Sequence, residues 1–132
     1  MSSVERPASK PRPVYLNLAR IRQPLPAIVS ILHRISGAAL FLVCVPLLLT
    51  GLQASLGSSQ SFQEFRAAMA TPFAKVVLLG LAWAYLHHFC AGLRYLLLDL
   101  HQFIDLKPAR QSSAVVLIAS LALTLLVAVR LW

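Results

Sequence analysis

Three long stretches of this chain are apolar enough to cross a lipid bilayer. The first charge-free run extends from Ile35 to Leu52, the second from Val76 to Leu93 with only two histidines in it, and the third from Ala114 to Val129. A hydrocarbon core of roughly 30 Å requires about 20 apolar residues in a helix. In lipid, such segments must be helical to satisfy their backbone groups. The three runs predict an all-α membrane protein with three transmembrane helices.

Composition supports the membrane class over a nucleic-acid-binding protein. Hydrophobic residues make up 58% of the 132 residues and charged residues 12%, too few to cover a small water-soluble domain. The net charge of +8 has the sign that attracts nucleic acid. The basic residues, however, lie outside the apolar runs and form no face with interleaved aromatic side chains. We therefore expect a lipid bilayer as partner and no nucleic acid.

The distribution of arginine and lysine predicts the orientation of the helices. Nine of the 12 basic residues lie before the first apolar run or between the second and third runs, whereas three lie in the first loop and near the C-terminus. Loops rich in these residues stay on the cytoplasmic side. The N-terminus is therefore expected to be cytoplasmic, or to face the matrix in a mitochondrion.

Proline content separates an N-terminal arm from the rest of the chain. Residues 1–26 contain five prolines and predict an extended polar arm. Residues 27–132 form the predicted three-helix transmembrane domain. Its spans are expected at about 27–52, 74–98 and 112–131.

The first loop predicts a short helix at the membrane surface. It contains Ser61-Phe-Gln-Glu64. In this pattern a serine side chain caps a helix, and the side chain of a glutamate three residues later accepts a hydrogen bond from the serine backbone N–H. Aromatic and methionine side chains then recur on one side. An amphipathic helix of this kind lies in the interface rather than across the bilayer.

One polar face is expected at the cytoplasmic end of the first helix. Ser30, His33 and Arg34 are three and four residues apart, so they share a face, and Gly37 leaves space beside them. A hydroxyl and a guanidinium suit a quinone head group, whose oxygens gain negative charge on reduction, and the cation also suits a heme propionate. The alternative, left open by spacing alone, is that Arg34 only marks the membrane edge.

Two adjacent histidines, His87 and His88, lie in the second span, where ionisable residues are expensive and commonly functional. On a helical wheel, Ala84, Ala91 and Gly92 flank His88, as the approach of a flat macrocycle would require. The same small residues equally suit close helix packing. Heme ligation, another function and a structural histidine therefore all remain open.

Topology places His88 near the same end of the bundle as the Ser30 face, because the second helix runs back toward the cytoplasm. The chain offers one ligand at suitable depth, whereas six-coordinate b-type heme needs two axial ligands, so a partner chain or a homodimer is implied. Cys44 and Cys90 belong to no CxxC pattern and indicate neither covalent heme nor a metal site.

Three motifs together resemble the cytochrome b anchor subunit of succinate dehydrogenase. They are the arm RPVYLNL from Arg12 to Leu18, SILHRISG from Ser30 to Gly37, and HFCAGLR from His88 to Arg94 with Asp99 after it. The family patterns are R-P-x-x-L, S-x-x-H-R-x-[ST]-G and H-x-x-x-G-x-R. Each is weak alone, but their order and their positions relative to three spans are specific.

The resemblance implies a subunit of complex II that is not catalytically complete alone. It passes electrons from succinate to ubiquinone with a flavoprotein, an iron–sulfur subunit and a second membrane anchor, in the electron transport of the tricarboxylic acid cycle. It implies that His88 is the axial ligand of a shared heme b, that Ser30 and Arg34 line the quinone site, and that His33 and Arg34 contact the heme propionates. No catalytic residue is assigned. The expected location is the inner membrane of a bacterium, with the mitochondrial inner membrane as the alternative.

Two other functions compete with this interpretation. A fumarate-reductase-type anchor would oxidise quinol, and the chain does not encode the direction or the quinone type. A non-redox membrane scaffold would need neither heme nor quinone. Tyr95 departs from the family pattern, which often has histidine there, so its role is left unassigned. The role of His87 is left unassigned as well.

Overall fold

The computed structural model describes residue 17 and residues 20–131, and all regular secondary structure in that part of the chain is helical. Three helical stretches are long and apolar enough to cross a membrane: Leu25–Gly57, Pro72–Asp99 and Leu106–Leu131. The predicted three spans are therefore confirmed by length and composition. Most of the predicted arm lies outside the described residues, and the orientation stays a prediction.

The first span consists of two α-helices joined by an irregular turn. Helix α1 covers Leu25–Ala39 and has Pro26 in its first turn, where a missing N–H costs nothing. A π-helical turn follows at Leu40–Cys44, in which the Val45 N–H donates to the carbonyl of Leu40. Helix α2 then covers Val45–Gly57. The backbone stays helical throughout, as a segment in lipid requires.

The first loop contains helix α3 at Ser59–Met69, so the predicted short helix exists. The predicted capping residue is wrong: Ser58 caps the helix, and Ser61 is its reciprocal partner three residues on. The Ser61 N–H donates to Ser58 Oγ over 3.1 Å, and the Ser58 N–H donates to Ser61 Oγ over 3.0 Å. A serine hydroxyl can both donate and accept, so it replaces the glutamate that the usual pattern expects. The interfacial position of α3 remains a prediction.

The remaining two spans are single helices. Helix α4 covers Pro72–Asp99 and is capped by Thr71, whose hydroxyl accepts from the Ala74 N–H at 3.3 Å. Helix α5 covers Leu106–Leu131. It begins about two turns before the predicted span because its polar first turns are helical as well as the apolar part. Hydropathy detects the bilayer-crossing part of a helix and misses such polar ends.

The three spans meet in a small core at Val29 of α1, Ala91 of α4 and Val116 of α5. Small polar side chains line the same seam, and Ser113, Ser120 and Thr124 of α5 are buried with hydroxyls bonded to carbonyls of their own helix. Small residues let helices approach closely where lipid gives no hydrophobic drive to associate. Most large apolar side chains point outward instead, as surfaces for lipid or partner subunits require.

Candidate functional site

His88 of α4 contacts the backbone of α1 through one ring nitrogen. Its Nδ1 lies 3.0 Å from the carbonyl oxygen of His33 and 3.3 Å from Oγ of Ser36. The Ser36 hydroxyl in turn donates to the same carbonyl over 2.9 Å. Three polar atoms therefore form a closed triangle at the α1–α4 contact. This triangle fixes one edge of the His88 ring.

Gly37 allows His88 to come this close. A Cβ built on the Gly37 backbone would lie 2.8 Å from Cε1 and 3.2 Å from Nδ1 of His88. These distances are too short for carbon atoms in van der Waals contact, so a side chain at this position would push the imidazole away. The space that the sequence predicts beside Gly37 is real, and the His88 ring fills it.

His33 completes the cluster of rings. It stacks on His88 with 4.1 Å between ring centroids and 14° between ring planes, and Tyr95 lies 5.1 Å from it in a tilted arrangement. A Cβ on Gly92 would lie 4.0 Å from His33 Nε2, so Gly92 borders His33. The expectation that the α1 and α4 histidines lie at one end of the bundle is confirmed. Sequence reasoning missed that Tyr95 contacts His33.

The structure leaves Ser30 and Arg34 at the edge of this cluster. Ser30 is half-buried and Arg34 is exposed. Within the described part of the chain, neither side chain makes a hydrogen bond to another residue. Both share the face of α1 that carries His33. Their donor groups therefore have no partner among the described residues.

The small residues around the histidines serve helix packing. Ala84, His87, Ala91 and Arg94 form the buried face of α4. Ala84 and Ala91, which the helical wheel places next to His88, thus face the neighbouring helices, as the packing alternative predicted. The spacing of these four residues, which repeats every seven, is the sequence signal that identifies this face.

His87 is fully buried on this inner face. Its ring stacks on Trp83 at 5.3 Å between centroids, and neither ring nitrogen has a hydrogen-bond partner among the described residues. The two adjacent histidines therefore have different surroundings. His87 points into the bundle, whereas His88 points to the edge between α1 and α4.

Arg94 ties α4 to α5. Only 5% of it is exposed. Its Nε donates to Ser112 Oγ over 3.0 Å and a terminal nitrogen donates to the carbonyl of Ala109 over 3.4 Å. Sequence reasoning treated Arg94 as a basic residue of the loop and as the last residue of the third motif, and it missed this contact. Its position seven residues after His87, on the same helix face, is the signal that would have found it.

A cavity of about 700 Å³ lies between α4 and α5, lined mostly by apolar side chains together with Arg94 and Ser112. None of the four predicted site residues lines it. The candidate site is therefore distinct from this cavity.

The donor set at the site fits one axial heme ligand. Among the described residues, no three His, Cys, Asp or Glu side chains are grouped to hold a metal ion, and both cysteines are free thiols. His88 is half-buried, and its Nε2 makes no hydrogen bond to a described residue. A ring nitrogen without such a bond, on an imidazole fixed at its other nitrogen, suits a metal bond.

Comparison with known proteins identifies the family. Residues 8–127 match the family described as succinate dehydrogenase/fumarate reductase transmembrane subunit. The chain is 34% identical over 122 residues to the succinate dehydrogenase cytochrome b556 subunit of Coxiella burnetii, which covers 92% of this chain and 97% of that protein. The same subunit of Paracoccus denitrificans is 32% identical over 115 residues, or 87% and 88% of the two chains. That of Rickettsia typhi is 27% identical over 126 residues, or 96% and 98%. The chain therefore belongs to the succinate dehydrogenase/fumarate reductase transmembrane subunit family, and within it to the succinate dehydrogenase cytochrome b556 subunits.

Proposed function

We propose that this anchor subunit binds b-type heme together with a second membrane anchor and contributes to the site where ubiquinone is reduced. The observation that carries the proposal is the setting of His88, whose Nδ1 is held by α1 while Nε2 makes no hydrogen bond to a described residue. An axial histidine needs this combination, because a bond at one ring nitrogen orients the other toward the metal. The cytochrome b556 name of the relatives supports the heme independently.

The second axial ligand comes from the partner anchor in this proposal, because the described residues offer one suitable imidazole. When bound, the heme supplies a one-electron acceptor within the membrane. The iron–sulfur and flavoprotein subunits supply the electrons taken from succinate. The complex lies in the inner membrane of a bacterium, with the N-terminus of this chain cytoplasmic as its arginine and lysine distribution indicates.

Ser30 and Arg34 bind the quinone in this proposal. Both lie on the face of α1 that carries His33, and both have donor groups free of intrachain bonds among the described residues. A hydroxyl and a guanidinium orient a quinone carbonyl and stabilise the oxygen as it gains negative charge. Arg34 and His33 also donate hydrogen bonds to the heme propionates in this proposal.

The test is the reduced-minus-oxidised absorption spectrum of the purified complex, normalised to assembled protein. His88→Leu should remove or severely perturb the low-spin heme signal, because it deletes the ligand nitrogen. His87→Leu is the matched control, an adjacent histidine whose ring nitrogens point into the bundle. It should keep a bis-histidine spectrum.

The opposite result, with heme lost in His87→Leu and kept in His88→Leu, would show that the ligand lies on the other helix face and would reject the proposal. Heme retained in both variants would place the axial ligand in another subunit. Comparable amounts of assembled complex in both variants are the necessary control.

A further inference from the structure

We infer that Ser36 is a positioning residue for the heme ligand: with the carbonyl of His33, it fixes the ring orientation of His88 and keeps the proton on Nδ1, so that Nε2 is presented to the iron. This inference rests on the proposed heme ligation by His88. It assigns a role to a residue outside the proposed quinone and propionate contacts.

The proton assignment follows from the distances. A carbonyl oxygen can only accept a hydrogen bond, and it lies 3.0 Å from Nδ1 of His88. Two acceptors at that distance would repel each other, so Nδ1 carries the proton. A neutral imidazole with a proton on Nδ1 has its lone pair on Nε2, which is the form that binds a metal.

The Ser36 hydroxyl strengthens this arrangement. It has one proton, which it donates to the carbonyl of His33 in the shorter contact, at 2.9 Å. The Ser36 oxygen lone pairs then face Nδ1 at 3.3 Å. The Nδ1 proton is therefore shared between two acceptors, which resist both rotation of the ring and the alternative tautomer.

Burial makes the contact persistent. Ser36 is 2% exposed, so water does not compete for its hydroxyl. Gly37 next to it has no side chain, which lets the ring edge lie against the α1 backbone.

A hydrogen bond to the second nitrogen raises the basicity of a ligating histidine. A more basic ligand stabilises the oxidised iron. Loss of one of two acceptors in Ser36→Ala should therefore shift the redox equilibrium toward the reduced heme by about three- to tenfold. At 59 mV per tenfold for one electron, this corresponds to a rise of about 28–59 mV in the midpoint potential. The ring also loses one restraint, so the low-spin electron paramagnetic resonance signal should broaden or shift.

The experiment compares three variants of the intact complex by redox titration and by that resonance signal. Ser36→Ala should raise the midpoint potential while retaining heme, and Ser36→Thr should restore the wild-type values because it keeps the hydroxyl. Ser120→Ala is the matched control, since Ser120 is a buried serine on α5 whose hydroxyl likewise bonds to a carbonyl three residues earlier. It should leave both measurements unchanged.

The inference is overturned if Ser36→Ala leaves the potential and the resonance signal at wild-type values, or if Ser36→Thr deviates as much as Ser36→Ala. Heme loss in Ser36→Ala that Ser36→Thr prevents would support it. These outcomes are separate from a failure of the proposed function: heme retained in His88→Leu rejects both, whereas heme lost in His88→Leu with a normal Ser36→Ala rejects the Ser36 role alone.

Discussion

The two halves of the first span bury different amounts of their surface. Helix α1 buries Val29 and Ser36 and exchanges polar contacts with α4. Helix α2 has no buried residue, although it is the more uniformly apolar half. Its hydroxyls bond within the helix, as Thr50 does to the carbonyl of Pro46 at 2.8 Å. In a bilayer, therefore, small polar residues rather than hydrophobicity determine where helices pack.

The contacts of α2 are with the loop helix. The Ser61 hydroxyl donates to the carbonyl of Ala54 over 2.9 Å, and a Cβ on Gly51 would lie 2.9 Å from the Phe65 ring. This α2–α3 end has its own glycine and its own aromatic ring, as the α1–α4 end does. The two ends differ in chemistry, because the stacked imidazoles of His33 and His88 lie at the α1–α4 contact and the α2–α3 helices contain no histidine. Three changes can break or sharpen this contrast.

The largest effect is expected at Arg34. Loss of a hydrogen bond to a charged group costs about 1.5–3 kcal/mol, or roughly ten- to a hundredfold in a rate. Arg34→Leu should lower quinone reduction by that factor, while succinate oxidation with an acceptor that draws electrons upstream stays nearly intact. Ser30→Ala should show a smaller loss. Arg66→Leu on exposed α3 is the control and should change neither assay.

Both assays must be normalised to assembled complex, because Arg34 is also proposed to contact a propionate. Unchanged quinone reduction in both Arg34→Leu and Ser30→Ala would mean that these residues only mark the membrane edge. Equal losses in Arg34→Leu and Arg66→Leu would remove the distinction between the two ends.

A glycine series gives the second test. Gly37→Ala forces a Cβ against the fixed His88 ring and should cost about 1–3 kcal/mol of stability with clear loss of heme per complex. Gly51→Ala meets Phe65, which can move, and should leave heme content unchanged. Gly80→Ala meets nothing within 4 Å and should stabilise the helix by about 0.5–1 kcal/mol. Heme absorbance and thermal unfolding of the complex measure these effects. The same heme loss at Gly37 and Gly51 would contradict the contrast.

The smallest effect is expected at Ser58. Replacement of an N-cap serine by alanine costs about 1 kcal/mol, and here it also removes one side of the reciprocal bond with Ser61. Ser58→Ala should increase proteolysis in the first loop and leave the heme spectrum and quinone reduction unchanged. Gln63→Ala, an exposed position on the same helix, is the matched control. A changed heme spectrum in Ser58→Ala would show that the two ends are coupled.

Much of the fold was predictable because length and apolar composition identify membrane helices in a sequence. The three spans and the loop helix follow from such local signals. The polar start of α5 and the cap at Ser58 did not follow from them. The start of α5 does not raise hydropathy, and Ser58 does not have the usual serine–glutamate spacing. These are errors at helix ends, where local signals are weakest.

The candidate site was predictable as a set of residues but not as an arrangement. Spacing placed Ser30, His33 and Arg34 on one face, and topology placed His88 at the same end. Which of the adjacent histidines meets α1 depends on how α4 is rotated against its neighbours, and a wheel drawn for one helix does not contain that information. The triangle of His88, Ser36 and a main-chain carbonyl also required coordinates, since sequence patterns do not register backbone acceptors.

The π-helical turn at Leu40–Cys44 changes the phase of the first span. A π turn holds one residue more than an α turn, so everything after it is rotated by roughly 100° relative to a continuous α-helix. The buried positions Val29 and Ser36 would continue, at intervals of seven, to Val43 and Thr50, which are exposed. The half-buried stripe instead runs through the next residues, Cys44 and Gly51. One inserted residue thus lets a single helix present its first half to α4 and its second half to α3.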